Sequence, residues 1–237
     1  MEAGAALGRL CQLLSLAWDR GWVVRDSVRP TEWGPIVVPQ QPARDSGHQG
    51  LAAGVTSGLK TDVQIPDWFD SAWSILDQDV KIANALAGYY EGLLMLDEHP
   101  SFALVAFVGV VEAIGAKLSR LDRCEACGTM IGAGKRFRAA LRLVRDETES
   151  AALAKAYGPR SKTAHEGRLY GTEAVLGTFL TPGMMSPQPQ FEFVWGQVYR
   201  VKKAACDLLL QGLQGKLPVT LEVHGKADED GVEALQP

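Results

Sequence analysis

The chain has 237 residues, 46% of them hydrophobic and 22% charged, the balance of an ordinary globular protein, which excludes wholesale disorder. With 24 Lys and Arg against 28 Asp and Glu, the net charge of −4 excludes a protein that coats nucleic acid through a broad basic field, so any such contact has to be local. Four cysteines, Cys11, Cys124, Cys127 and Cys206, are too few and too unevenly placed for a disulfide scaffold, which leaves reduced thiols or a metal.

Leu7, Leu10, Leu13, Leu14 and Ala17 recur at spacings of three and four, the apolar stripe of an amphipathic helix over 7–19. Glu2 ahead of the apolar stretch, Arg9 as its only positive charge, and Trp18-Asp19-Arg20 in place of a small-residue cleavage site argue against a signal peptide. Between Ser27 and Lys60 the composition shifts to Pro, Gly, Gln, Ser and Thr, which predicts a linker. Within it, Pro35-Ile36-Val37-Val38-Pro39 fits only an edge strand or an extended arm, because proline cannot donate to a sheet ladder. Trp18, Trp22 and Trp33 predict that this region docks on its own domain or on the mate in a dimer, since exposed aromatic area is costly. The sequence divides into an N-terminal helix with a Pro/Gly-rich extension over 1–60, a helical bundle over 61–217 and a flexible acidic tail over 218–237.

The bundle opens at Ile65-Pro66-Asp67, where Pro66 suits a first helical position and Trp68, Phe69, Ala72, Trp73, Ile75 and Leu76 follow at helical spacing. A longer helix is predicted over 80–96, broken by Asp97-Glu98-His99-Pro100 with His99 as a cap. The next, 101–118, is apolar on almost every side and reads as the central, surrounded helix, with Gly109 and Gly115 as points of close approach. Its most apolar run, 102–116, contains Glu112 and falls short of the roughly 20 residues of a membrane span, so a cytoplasmic protein without membrane contact is expected. A Cys/Gly-rich loop leads to a basic helix from Lys135 to near Arg145, which breaks at Asp146 and continues to Tyr157; Gly158-Pro159 interrupts the chain again. After a loop-rich stretch, Val198, Val201, Ala205, Leu208 and Leu209 mark a last helix over 191–213. The pattern is all-α: an antiparallel four- to five-helix bundle with an N-terminal helix and an irregular extension.

Cys124-x-x-Cys127 is half of a tetrahedral zinc site, to be completed by Cys11, Cys206, His99 or a second protomer, or else a plain turn with free thiols. Lys135, Arg136, Arg138, Arg142 and Arg145 form one basic helix stripe able to receive an RNA backbone, or a solvated face balanced by Asp146, Glu147 and Glu149. The densest chemistry is in Tyr157-Gly158-Pro159-Arg160-Ser161-Lys162-Thr163-Ala164-His165. A helix started by Pro159 would aim the amides and side chains of Arg160, Ser161 and Lys162 at a phosphate. His165, a turn and a half further on, supplies an imidazole, the side chain best suited to giving or taking a proton in catalysis.

Arg160-x-x-x-x-His165, late in an all-helical domain and preceded by Ala156-Tyr157, resembles the motif of HEPN domains, particularly their ApeA-like branch. His99-Pro100-Ser101-Phe102-Ala103-Leu104-Val105, leading to Val111-Glu112-Ala113-Ile114, is similar to that branch's second helix, and Gly134-Lys135-Arg136-Phe137-Arg138 to its basic entry to the third. The resemblance covers 65–215 and leaves 1–60 outside it. It implies a homodimer with a cleft shared by two protomers and RNA cleavage without a metal or other cofactor, the 2′-hydroxyl being the nucleophile. His165 would be the general acid or base and Arg160 would stabilise charge on phosphorus, supported by Ser161 and Lys162, with Glu112 orienting Arg160 or His165. Active members often carry Asn, Asp or His after the motif arginine, where this chain has Ser161. Other members implied by the resemblance are non-catalytic partners and nucleotide-binding sensors, and the settings implied are phage defence or a toxin–antitoxin pair with an antitoxin partner.

Overall fold

Turns and one isolated antiparallel bridge, Arg123 to Met130, are the departures from helix among the residues described by the computed structural model, which are 2–23, 65–119, 123, 130–167, 169, 189–221 and 223. In chain order the helices are α1 (Glu2–Trp18), α2 (Phe69–Gln78), α3 (Val80–Met95), α4 (Pro100–Leu118), α5 (Ala133–Leu141), α6 (Glu147–Ala154), α7 (Tyr157–Glu166) and α8 (Pro189–Leu213). The described residues are all-α, as the periodicity predicts, but eight helices stand among them instead of four or five core helices and one leading helix.

Part of that difference lies in single aspartates that restart the helix. Asp79 ends α2 and begins α3: its backbone N–H donates to Ile75 at 2.8 Å, and its carboxylate accepts from the amides of Lys81 and Ile82, both at 3.1 Å. Asp146 does the same for α6, accepting from the Glu149 amide at 2.7 Å, and thereby explains the break expected there. Each such cap contributes about 1 kcal/mol. Prolines act as stops or starters according to position. Pro100 is at the first position of α4, whereas Pro66 sits in the turn ahead of α2, its carbonyl accepting from the Phe69 amide at 3.0 Å. His99 holds the cap position of α4 without a side-chain cap bond, and its ring meets Phe102 edge-on at 6.3 Å.

α4 is the hub. Leu104, Phe107, Val108, Val111 and Ile114 are buried on it, and α3, α5, α7 and α8 pack around it. At 19 residues and mean hydropathy 1.8 it is longer than the 102–116 run and passes for a membrane span by composition, yet 56% of that stretch is buried against its own neighbours. Burial of each large apolar side chain contributes about 1.5–3 kcal/mol. The pairs Gly88 with Val110 and Gly92 with Phe107 run in opposite senses, so α3 and α4 are antiparallel, as a four-residue turn between them requires. Of the two glycines expected to admit a neighbour, only Gly115 does. A Cβ there would lie 2.6 Å from the Arg136 carbonyl oxygen on α5, whereas Gly109 has open space.

α1 shares this core through Leu13 and Leu16, so the leading helix, set apart in the sequence with its extension, is packed into the bundle. Its end explains why. The Arg20 amide donates to the Ser15 carbonyl at 3.2 Å, the six-to-one bond of a helix C-cap that puts the intervening Asp19 in the left-handed region, at φ 53, where glycine is usual. Asp19 offsets that strain with its carboxylate, which accepts from Tyr89 Oη on α3 and Lys202 Nζ on α8, both at 2.6 Å. Burial, with Cys206 and Asp19 beside it, pushes the Tyr89 phenol far above its usual range, so it stays a donor. Trp22 is tied next to this knot, its carbonyl accepting from Tyr90 Oη at 2.8 Å; Trp33 lies outside the described residues.

Candidate functional site

Helix α7 carries the Arg-to-His segment, and it starts earlier than Pro159 suggests. Tyr157 is its first residue, and Pro159 falls in the first turn, where a missing N–H costs nothing. The Arg160 amide therefore already donates to the Ala156 carbonyl, at 3.2 Å. This corrects the expected amide cradle: Arg160, Ser161 and Lys162 lie past the free end of the helix, and what they offer a ligand is their side chains.

Arg160 points back into the bundle. Its Nη2 donates to Glu112 Oε2 on α4 at 2.6 Å, with the two side chains 20% and 15% exposed. A carboxylate inside so apolar a helix needs such a partner, and of the two candidates, Arg160 and His165, it is Arg160 that meets it. The guanidinium carbon also stands 5.5 Å over the Tyr157 ring, which in turn meets the fully buried Phe137 ring of α5 at 5.8 Å. A stack thus runs from α5 through α7 to α4, with the Arg160 plane held between an aromatic face and a carboxylate. Burial and the neighbouring Glu112 raise the Tyr157 phenol above its usual value, so it too remains protonated. Arg160 Nε is buried without a hydrogen-bond partner among the described residues.

His165 occupies the last turn of α7 and is exposed, as are Lys162 and Glu166; Ser161 is half-buried. Gly167, at φ 65, ends the helix just beyond it. Five residues of helix separate Arg160 from His165, about 7.5 Å along the axis and about 140° around it. One helix therefore does not aim both groups at a single point. Among the described residues the side chains of His165 and Lys162 make no hydrogen bond or ion pair, so both are available to a ligand.

The basic stripe is not continuous. α5 ends at Leu141, and Arg142 pairs with Glu147 at 2.7 Å from the turn that follows. Arg145 is only 12% exposed and meets Asp207 of α8 at 2.8 Å and Glu149 at 3.5 Å. That half of the stripe is balanced by acids; Lys135, Arg136 and Arg138 are half-buried on α5, one turn from the Tyr157 stack.

Cys124 and Cys127 lie outside the described residues, as do His48 and His224. Cys11 and Cys206 are free thiols, and burial pushes the Cys206 thiol up, which makes it unreactive. Among the described residues no group of three His, Cys, Asp or Glu side chains could hold a metal. The sequence reading missed Tyr157 and Phe137 as supports of Arg160. The signal was present in one of them: Tyr157 is three residues before Arg160, the spacing at which helical side chains meet. No family model, curated protein sequence or solved structure matches the chain.

Proposed function

We propose that this chain is a HEPN-like, metal-independent endoribonuclease whose cleft is formed by two copies, working in the cytoplasm in phage defence or as the toxin of a toxin–antitoxin pair. The observation that carries the reading is the Arg160–Glu112 pair at 2.6 Å, a guanidinium fixed in orientation on the same helix as an exposed and unengaged His165. The all-α bundle with that segment near its end is consistent with it.

In this reading His165 takes the proton from an RNA 2′-hydroxyl, whose oxygen attacks the adjacent phosphorus while water protonates the departing 5′-oxygen, or water takes that proton and His165 protonates the 5′-oxygen; the products are a 2′,3′-cyclic phosphate and a free 5′-hydroxyl. The Arg160 N–H groups not engaged by Glu112 bear on the charge gathering at phosphorus, and Lys162 holds the phosphate as a point charge. Since Arg160 and His165 of one helix diverge by about 140°, two facing copies would supply the groups for one phosphate. No metal or cofactor enters the chemistry.

The same pair favours a second reading, a non-catalytic interaction or nucleotide-binding module, because Glu112 offsets much of the Arg160 charge that a transition state would draw on. RNA incubated in EDTA with wild-type protein and with His165→Ala separates the two. Cleavage by the wild type that falls by about a hundredfold or more in the variant, at unchanged dimer mass by light scattering, supports the nuclease. Absence of cleavage by either, with the dimer intact, removes it. Saturable nucleotide binding in that case supports the second reading.

A further inference from the structure

We propose that α1 is a releasable arm, which leaves its seat on α3 and α8 as a unit while the rest of the bundle stays folded, with the Asp19 carboxylate as its catch. No short turn ties α1 to the helices it packs on. Asp79 alone separates α2 from α3, and four residues separate α3 from α4, so those helices part only if a turn is pulled apart; the whole of 19–68 lies between α1 and α2.

The arm is lightly anchored by apolar contact. Residues 3–6 and Gly8 are exposed, and the fully buried apolar side chains of α1 are Leu13 and Leu16, both in its second half. Gly4 and Gly8, with open space around them, weaken the helix itself, and a helix of 17 residues is marginal in water without a surface to pack on. α4, by contrast, buries Leu104, Phe107, Val108, Val111 and Ile114 together. An element with few buried apolar contacts and no short tether is the one that opens at the lowest free energy.

Polar contacts hold the arm at its two ends, and they differ in strength. Near its start Arg9 pairs with Asp77 of α2 and stands 5.5 Å over the Trp73 ring, with the two charged side chains 33% and 58% exposed, where water screens such a pair. At the other end Asp19 accepts from the fully buried Tyr89 Oη and from Lys202 Nζ, whose side chain is 10% exposed, both at 2.6 Å. Charge-assisted bonds to buried donors are the strong kind, which puts the catch at Asp19. The Trp22 amide donates to Ser15 Oγ at 2.8 Å and the Arg20 amide to the Ser15 carbonyl at 3.2 Å, so 15–22 moves as one piece once Asp19 and the exposed Tyr90 bond to the Trp22 carbonyl let go. Beneath the catch is Cys206 of α8, 6% exposed and beside both Tyr89 and Asp19. Release of the arm uncovers that thiol together with the Tyr89 hydroxyl and the Lys202 ammonium.

The test uses the full chain. Pulses of iodoacetamide read by peptide mass mapping give the alkylation rate of Cys206, and hydrogen exchange of the α4 amides in the same samples gives the rate allowed by opening of the whole bundle. In the wild type, Cys206 alkylation, scaled to a free thiol, should be at least about tenfold faster than the α4 opening permits, because only α1 has to leave. Asp19→Asn keeps a residue that tolerates the left-handed backbone and removes the charge; it should raise Cys206 alkylation by about tenfold, the size of one charged hydrogen bond, with α4 exchange unchanged within about twofold. Arg9→Ala, at the exposed end, should change it by less than about threefold. Cys206 alkylation that keeps pace with α4 exchange in the wild type, or that does not rise in Asp19→Asn, would overturn the proposal. So would a rise in Asp19→Asn matched by an equal rise in α4 exchange, or a larger effect of Arg9→Ala than of Asp19→Asn. Should Asp19→Asn fail to fold, the wild-type comparison still decides.

Discussion

Replacing Glu112 by Gln keeps the side chain's length and an acceptor oxygen but removes the charge that faces Arg160. The magnitude follows from the geometry. With the nearest atoms at 2.6 Å, the charge centres are about 4 Å apart, and at an effective dielectric near 20 their attraction is about 4 kcal/mol. Both side chains have left most of their water, at 15% and 20% exposure, and that desolvation offsets more than half of the attraction. A net coupling of about 1–2 kcal/mol remains. Glu112→Gln should therefore destabilise the fold by about 2 kcal/mol, because a guanidinium is left against the apolar flank of α4, and Arg160→Met by a similar amount. The double variant should lose about 1–2 kcal/mol less than the sum of the two. Urea unfolding of the four proteins measures this directly; in a chain of this length about 2–4 °C in Tm corresponds to each kcal/mol. Additivity within about 0.5 kcal/mol would refute the reasoning, since it would mean that the pair does not hold α7 to α4. On the nuclease reading, Glu112→Gln also lowers RNA cleavage by about tenfold with His165 intact, because the guanidinium loses its fixed orientation.

The remaining predictions use the same unfolding assay. Gly115→Ala should cost about 1–3 kcal/mol, since the added methyl meets a backbone carbonyl at 2.6 Å that cannot turn aside, while Gly109→Ala, with open space around it, should stabilise by up to about 1 kcal/mol. Equal effects at the two positions would contradict the α4–α5 approach. Burial pushes the Asp79 carboxyl up, but Lys117 and the amides of Ile82 and Lys81 outweigh it and leave it below its usual 3.8. A carboxyl lowered on folding stabilises above its unfolded value and loses that contribution as pH falls through its folded value. The stability gap between wild type and Asp79→Ala should thus be full, at about 1 kcal/mol or more, above about pH 5 and close progressively as the pH falls below the usual 3.8. A gap that is flat across that range would refute the assignment.

How much could be read from the sequence differs by residue. The α4 and α8 stripes, the all-α class and the break at Asp146 were legible because helix periodicity and capping depend on residues within about four positions of one another. Pro159 misled because a proline is compatible with any position of a first turn, and sequence alone does not choose among them. Gly109 and Gly115 are equivalent as letters in an apolar helix, and only the approach of α5 at Arg136 distinguishes them. The basic stripe had the right spacing, but Arg145 is claimed by Asp207, 62 residues away. The rest of the basic face is divided where α5 stops. Glu112 needed a cation on physical grounds, yet its choice of Arg160 over His165 rests on a contact spanning 48 residues. The sequence by itself determined which segments would be helical and which residue types the Arg-to-His segment would carry, since those follow from local hydrogen bonding and composition. Only the tertiary structure decided that Arg160 turns inward to Glu112 and His165 outward, because the angle between them becomes a direction only once α7 is packed on α4.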